Sequence, residues 1–345
     1  MVATLEHLAE VTLPTRPIPA WVIVTARSYF IDRIKPDCEV ITLSEDAVAG
    51  GEVRLSLGPV ETGAVKRGRF SRLTPTRRDS LPEDRLILDL RRSGPDNWAH
   101  FLNNHLPYVF WAAETAKIDL ERFVLLLPED IPKHSQAAAA FFGLEVKLTD
   151  AIVTGRGFTL ETTPWKAVRA VRPVWAHLPV AEAALAAGLA AAPASNALPK
   201  KVFLARRKTR VLTNEAEIET VLTDFGFTKV YAEDYSVADQ MRLFREAEAL
   251  VAIHGAGLGP LLYCAPGQGP EIMIELLSPG HMTNVYRAIA DAVGTRWIGV
   301  RGRLKPEYVK QAYAFDAPFR AFSLDDFEVD PASIERSFEI LEQDI

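Results

Sequence analysis

The second half of the chain sets the tightest limit on what it can fold into. Between residues 201 and 300, short apolar runs alternate with segments of helical character. Residues 201–205, 228–231, 249–253, 271–276 and 296–300 read as strands, and 215–225, 236–247, 260–264 and 283–293 as helices. Asn214 is placed to cap the first helix, and Gly226 to end it. Such alternation folds as a doubly wound parallel sheet covered by helices, with ligands at the carboxyl ends of the strands.

The first half follows the same grammar more loosely. Residues 21–24, 39–42 and 52–55 read as short strands, 86–90 as a buried strand, and 98–115 as a helix. The run Phe123-Val124-Leu125-Leu126-Leu127, closed by Pro128, is typical of a strand buried on both faces. Residues 136–142 read as a helix, and 145–148 as another strand.

An alanine-rich helix, 181–192, is followed by Pro193-Ala194-Ser195-Asn196-Ala197-Leu198-Pro199, which has the composition of a linker. The expected division is therefore a first domain over 1–192, a linker over 193–200, a second domain over 201–328, and a tail over 329–345. The tail's helix, 333–342, is expected to pack back across the first domain. With 345 residues, 48% of them hydrophobic, two domains can each bury a core.

Charge and cysteine content remove several classes. A net charge of -6 argues against a general nucleic-acid binder. Cys38 and Cys264, the two cysteines, do not make a disulfide framework and fit a reducing compartment. Glu6 and Glu10 interrupt any signal-peptide core, and no apolar run approaches the roughly 18 residues of a membrane span. The expectation is a soluble cytoplasmic protein. One stretch, 64–78, carries Lys66, Arg67, Arg69, Arg72, Arg77 and Arg78 without an acid. It reads as a solvated loop, or as a contact for an anionic lipid headgroup at the inner membrane face or for an acidic acceptor.

The residues with chemistry gather at the predicted strand ends. Ile253-His254-Gly255-Ala256-Gly257-Leu258-Gly259-Pro260 links a strand to a helix. Glycines allow close approach of an anion, and Pro260 suits a first helical position, so free N–H groups there can hold phosphate. The spacing is not the dinucleotide Gly-x-Gly-x-x-Gly, and no acidic signature supports NAD. His254 adds a donor at the same rim, and Glu275 ends the next strand, where a carboxylate can hold ribose hydroxyls. Arg206, Arg207 and Arg210 follow the first strand of this domain, and guanidinium groups suit a diphosphate. Together these parts describe a nucleoside-diphosphate pocket.

In the first domain, Asp96-Asn97-Trp98-Ala99-His100-Phe101-Leu102-Asn103-Asn104-His105-Leu106-Pro107 opens a helix. If the segment is helical, Asp96, His100 and Asn103 or Asn104 share a face, with His105 off it. His100 or Asp96 can then serve as general base for an acceptor hydroxyl; otherwise Asp96 or Asn97 caps the helix and His100 packs.

These motifs, in this order, resemble family 61 glycosyltransferases. The resemblance rests on Arg206-Arg207, Arg210, Asn214-Glu215, Gln240, His254-Gly255-Ala256-Gly257-Leu258 after its strand, and Ile274-Glu275-Leu276. Asn97-Trp98-Ala99-His100-Phe101-Leu102 with Leu106-Pro107 resembles the family's first-domain motif. About a third of the chain is covered, and the first 80 residues show no match. The Gly259-Pro260 pair departs from the Thr or Ser, then Asn, that often follows this glycine motif, so only backbone contacts carry over there.

The resemblance implies a GT-B-like α/β fold of two Rossmann-like domains facing each other across a cleft, the second holding the donor and the first the acceptor. It implies inverting transfer from a nucleoside-diphosphate sugar to a hydroxyl of a glycan or lipid-linked glycan in polysaccharide biosynthesis. Arg206, Arg207, Arg210, Asn214, Gln240, His254, Gly255, Ala256, Gly257, Leu258 and Glu275 are the expected donor-site residues, and His100 and Asp96 the expected catalytic pair. No Asp-x-Asp triplet occurs in the chain, so no metal site and no separate cofactor are expected. Two alternatives stay open: a non-catalytic nucleotide- or carbohydrate-binding protein, and another nucleotide-dependent α/β enzyme such as an oxidoreductase.

Overall fold

The computed structural model describes residues 6–18, 21–25, 40–43, 46–48, 51–65, 76–92, 94–162, 172–193, 197–308 and 322–342. The chain divides into two compact units. Met1–Arg16 with Val48–Ala194 form the first, and Pro17–Ala47 with Ser195–Ile345 the second.

Along the chain the strands are β1 (Glu6–Leu13), β2 (Arg16–Ile18), β3 (Trp21–Thr25), β4 (Val40–Leu43), β5 (Asp46–Val48), β6 (Gly51–Glu61), β7 (Arg78–Ser80) and β8 (Leu86–Asp89). They continue as β9 (Phe123–Leu127), β10 (Glu145–Leu148), β11 (Ile152–Thr162), β12 (Lys201–Ala205), β13 (Thr228–Tyr231), β14 (Ala249–Ile253), β15 (Ile272–Leu277) and β16 (Arg296–Arg301). The α-helices are α1 (Trp98–His100), α2 (Leu106–Ala116), α3 (Lys133–Phe141), α4 (Arg172–Ala176), α5 (Pro179–Ala191), α6 (Glu215–Asp224), α7 (Val237–Glu246), α8 (Val285–Val293) and α9 (Pro331–Glu342).

The first unit's sheet has the order β1-β6-β11-β8-β9-β10, with β7 also pairing β11. Its β8, β9 and β10 run parallel, and β1, β6 and β11 are joined antiparallel. Every residue of β9 is buried, as its unbroken apolar run requires of a strand between two others. Asp89 at the end of β8 is held by both arms of the buried Arg91 guanidinium, which also donates to the carbonyls of Gly63, Thr149 and Ala151. The basic stretch read at 64–78 lies mostly outside the described residues. Within them, Arg77 pairs with Glu129 and Arg78 with Glu61, so those two charges are already matched.

The second unit's sheet has the order β13-β12-β14-β15-β16-β3-β4. It is parallel from β13 through β3, and only β4 runs against its neighbour. The expected strand–helix alternation is present: β12, α6, β13, α7, β14, β15, α8, β16. Chain order reverses at β12: β13 lies on one side of it, and β14 and the later strands on the other.

Three expectations change. The first is the division at residue 192. The sequence places residues 1–192 together, yet β3 extends the second sheet by pairing with β16, which draws Pro17–Ala47 into the second unit.

The second is the tail. Its helix α9 lies within the second unit, against α6, β3 and β16, with Ile334 and Ile340 in the core beside Phe203, Val251 and Ile274. The third is the cap of α6. Asn214 makes no capping bond; its side chain turns instead to Val329, donating to the carbonyl at 2.7 Å and accepting from the N–H at 3.2 Å. Gly226 does follow α6 in the left-handed conformation, at φ 82°. Among the described residues no helix is long and apolar enough to cross a membrane.

Candidate functional site

The reversal of chain order puts a topological switch point between β12 and β14 at their carboxyl ends, the place where doubly wound sheets bind ligands. Arg206 follows β12 directly and His254 follows β14 directly. Their backbone and side chain meet there: Arg206 Nη1 donates to the His254 carbonyl at 3.4 Å. Arg206 is fixed from the other side by Thr209, through Nε to the carbonyl at 2.8 Å and Nη2 to Oγ1 at 2.9 Å.

Gly255 makes this approach possible. Its backbone is extended, so conformation does not require glycine; space does. A Cβ at residue 255 would run into the Arg206 guanidinium. Beyond it, residues 256–263 form a 3-10 helix, so the helical turn starts at Ala256 and Pro260 sits inside it, not at its first position. Gly257 packs against Ala232 and Leu204, and Leu258 is buried in the core.

Arg210 is the second cation of the site. It holds a left-handed backbone at φ 54° and gives Nη1 to the Ser323 carbonyl at 3.0 Å, while its buried Nε has no hydrogen-bond partner. Burial, and then the neighbouring Arg206 charge, bring its pKa down to about 10. Burial also lowers Arg206. Among the described residues neither guanidinium has a carboxylate within ion-pair distance. Two half-buried like charges without a counter-ion are costly to keep, and an anionic ligand removes that cost.

His254 is held by a carboxylate. Its Nδ1 lies 2.5 Å from Glu275 Oε1, and Trp297 Nε1 donates to Glu275 Oε2 at 2.7 Å. Glu275 has 0% exposure. The carboxylate expected to hold ribose is thus enclosed, with both oxygens engaged by protein donors. His281 and Tyr286 pack on the His254 ring, with centroids 4.9 and 5.4 Å away. Burial, then the Glu275 charge, raise the Tyr286 hydroxyl above its ordinary range, so it stays neutral beside the arginines.

The remaining donor-site expectations separate from this cluster. Arg207 is exposed, forms a two-pronged pair with Asp234 at 2.6 Å for each bond, and lies over the Tyr231 ring at 3.8 Å. Gln240 ties the Ala232 and Tyr235 carbonyls to α7 with its Nε2. Asn214 joins residue 329 as described above. All three are engaged in local contacts of their own, and Arg206, Arg210 and His254 are the expected donor-site side chains that remain near the switch point.

In the first unit, Gly94, Asp96 and His100 are neighbours. At φ 72° Gly94 adopts a conformation that favours glycine, and a Cβ there would sit 2.9 Å from His100 Nδ1 and 3.8 Å from Asp96 Oδ1. Asn97 is the cap: its Oδ1 accepts from His100 N at 3.1 Å. The segment is tied to α3 by Ser135, which donates to the Pro95 carbonyl, and by His134 at the Asp96 carbonyl. Asp96 and His100 side chains are exposed.

The expected shared face does not extend further. Residues 101–105 form a π-helical turn, and Asn103, Asn104 and His105 are buried. Pro107 explains the widened turn: it has no N–H for the carbonyl of residue 103, and its ring would press on that carbonyl in a regular α-helix.

Trp297, Tyr286 and His281 join the site without having been expected there from the sequence. Of the three, Trp297 carries a readable signal. Glu275 pairs across the sheet with Gly299, two residues beyond the tryptophan on the same face. The indole lies over that bare glycine, where a Cβ would press on Trp297 Cζ2 at 3.0 Å, and so reaches the carboxylate.

The sequence model of the Glycosyltransferase 61 family matches residues 98–269, about half of the chain. That span starts at the Trp98 of the first-unit motif and contains Arg206, Arg210 and the glycine turn. The chain belongs to glycosyltransferase family 61. A search among curated proteins gave no significant match. As a family 61 member the protein is a glycosyltransferase, and its mixed sheets and helices accord with the α/β class expected from the sequence. Among the described residues no group of three or more His, Cys, Asp or Glu is arranged to hold a metal ion.

Proposed function

We propose that this glycosyltransferase transfers a sugar from a nucleoside-diphosphate donor to a hydroxyl of a glycan or lipid-linked glycan, with inversion at the anomeric carbon, in polysaccharide biosynthesis. The observation that carries the proposal is the pair Arg206 and Arg210, two half-buried guanidiniums with no carboxylate partner among the described residues, at the reversal point of the second sheet. A diphosphate supplies the missing negative charge, and planar guanidinium groups match its oxygens.

The chemistry then divides between the units, in a GT-B-like scheme. In the second, Arg206, Arg210 and His254 hold the diphosphate and stabilise the charge that builds on it as the glycosidic C–O bond breaks. In the first, His100 takes the proton from the acceptor hydroxyl, and Asp96 orients it or replaces it as base. The acceptor oxygen attacks the anomeric carbon opposite the leaving group, which inverts its configuration. With charge neutralised by arginine, the step requires no metal or separate cofactor. The protein works in the cytoplasm, and the basic stretch 64–78 supplies a contact with the inner face of the membrane.

The test is a thermal-shift screen of nucleoside diphosphates and nucleotide sugars, with Mg²⁺ and with EDTA. A ligand at a hundredfold excess over Kd adds about 2.7 kcal/mol to folded-state stability. Stabilisation by one nucleotide family, unchanged by EDTA and absent in Arg206→Ala, is expected. No stabilisation by any nucleotide in the folded wild type would overturn the donor assignment.

A further inference from the structure

The enclosed carboxylate of Glu275 has a function that ribose binding does not describe. Glu275 accepts at both oxygens, from His254 at 2.5 Å and from Trp297 at 2.7 Å, and has 0% exposure. A carboxylate so placed fixes which imidazole nitrogen faces inward and which is left for a ligand. Nδ1 of His254 is committed to Glu275, and Nε2 makes no hydrogen bond to the described residues.

The surrounding register shows how the arrangement is built. Ala252, Glu275 and Gly299 lie in line across β14, β15 and β16. His254 leaves β14 two residues beyond Ala252, and its N–H is tied back to the Leu276 carbonyl at 2.9 Å. Trp297 reaches Glu275 only because Gly299 has no side chain to lift the indole off the sheet. On the other side His281 and Tyr286 pack against the ring, which closes off rotation.

We propose that Glu275 and Trp297 are positioning residues for His254, holding its ring so that Nε2 binds the phosphate group of the donor. This rests on the diphosphate reading of the Arg206 site. Glu275 itself touches neither phosphate nor ribose, and its influence on binding passes through the imidazole.

Inorganic pyrophosphate is the probe, because it has no ribose. Three results are expected. Pyrophosphate moves the side-chain ¹⁵N resonance of His254 Nε2 in the wild type, and the Nδ1 signal keeps its hydrogen-bonded position. Glu275→Gln and Trp297→Phe each weaken pyrophosphate binding, the former by about tenfold, the order of one lost charged hydrogen bond. In a His254→Ala background, Glu275→Gln causes no further loss.

An equal loss in that background would overturn the proposal, since Glu275 would then act without His254. So would a Glu275→Gln variant that binds pyrophosphate normally but a nucleoside diphosphate poorly, which is the ribose-holding outcome. Trp297→Phe guards against misfolding of the glutamine variant: it leaves the carboxylate in place and removes one donor. If pyrophosphate moves His254 as expected and no nucleotide sugar is ever turned over, the donor reading fails and the positioning role stands. If nucleotide sugar is turned over while the His254 resonance stays still, the donor reading stands and the positioning role fails.

Discussion

The Arg206 guanidinium occupies the space that a side chain at residue 255 would need. The glycine turn after β14 therefore leaves room for a cation from β12, and the proposed anion site consists of both. Its backbone is extended, so alanine at 255 carries no conformational penalty, and a substitution acts through the arginine. Gly255→Ala should fold with near-normal stability and lose nucleoside-diphosphate affinity by about tenfold or more, the scale of one charged hydrogen-bonding partner withdrawn. Isothermal titration of the variant against the wild type measures this. Normal affinity in Gly255→Ala would mean that Arg206 does not contact the ligand.

The two arginines should show a cost in stability that ligand relieves. The pKa of Arg210 falls from its ordinary value to about 10 because burial disfavours its charge, with Arg206 adding repulsion. Below pH 10 the charged form is present in the folded and unfolded chain, and folding carries the whole penalty. As pH rises through 10 the folded state sheds the proton first and the penalty fades, until it is gone once the unfolded chain has lost its proton as well. At about 1.36 kcal/mol per unit the penalty is at most about 3 kcal/mol, and solvent at this half-buried group reduces it. Arg210→Met should thus match or exceed the wild type in ligand-free stability at neutral pH, and bind nucleoside diphosphate more weakly. Denaturant melts with and without nucleotide separate the two effects. A variant both less stable and unimpaired in binding would remove Arg210 from the site.

Gly94 stands to His100 as Gly255 stands to Arg206, with one difference. Its φ of 72° disfavours any side chain, and a Cβ would press on His100 Nδ1. Gly94→Ala should therefore displace His100 and lower kcat by about 10²-fold, the lower end of what a general base contributes. Donor KM should hold, because the donor residues belong to the other unit. A change confined to KM would contradict the assignment of His100 as base.

The second unit was legible in its sequence because periodicity and punctuation agreed there. Five strand runs, the Gly226 stop and the Ser236 cap, whose side chain accepts from Asp239 N, each point to the same order. The meeting of Arg206 and His254 was legible for the same reason: both follow the ends of strands that the pattern had already placed. What stayed hidden depends on contacts between residues far apart in sequence. Trp297 joins the site through a cross-strand neighbour of Glu275, and β3 joins the second sheet from the far end of the chain. The π-helical turn at 101–105 was hidden differently: its apolar spacing fits an α-helix, and only Pro107 hints at the extra width. The enclosure of Glu275 was hidden too, since a carboxylate at a strand end does not disclose its burial by itself.

Asn214 offers a test that separates two uses of one side chain. As a helix cap it would need only an oxygen, and aspartate would serve as well as asparagine. In the structure it behaves like a short strand: Nδ2 donates to the Val329 carbonyl and Oδ1 accepts from the Val329 N–H. The neighbouring backbone continues the pairing, with Thr213 N donating to the Phe327 carbonyl at 2.8 Å and Phe327 N to the Val211 carbonyl at 3.1 Å. Aspartate keeps the acceptor, loses the donor, and brings a charge towards Glu217, whose Oε2 now accepts from Nδ2 at 2.8 Å. Asn214→Asp should consequently be no better than Asn214→Ala, each costing about 1–3 kcal/mol for unmade bonds at a partly buried site. Urea melts of the two variants decide it. An aspartate variant as stable as the wild type would show that the amide donor contributes nothing here, and that the backbone bonds of Val211 and Thr213 to Phe327 suffice to hold this segment beside α6.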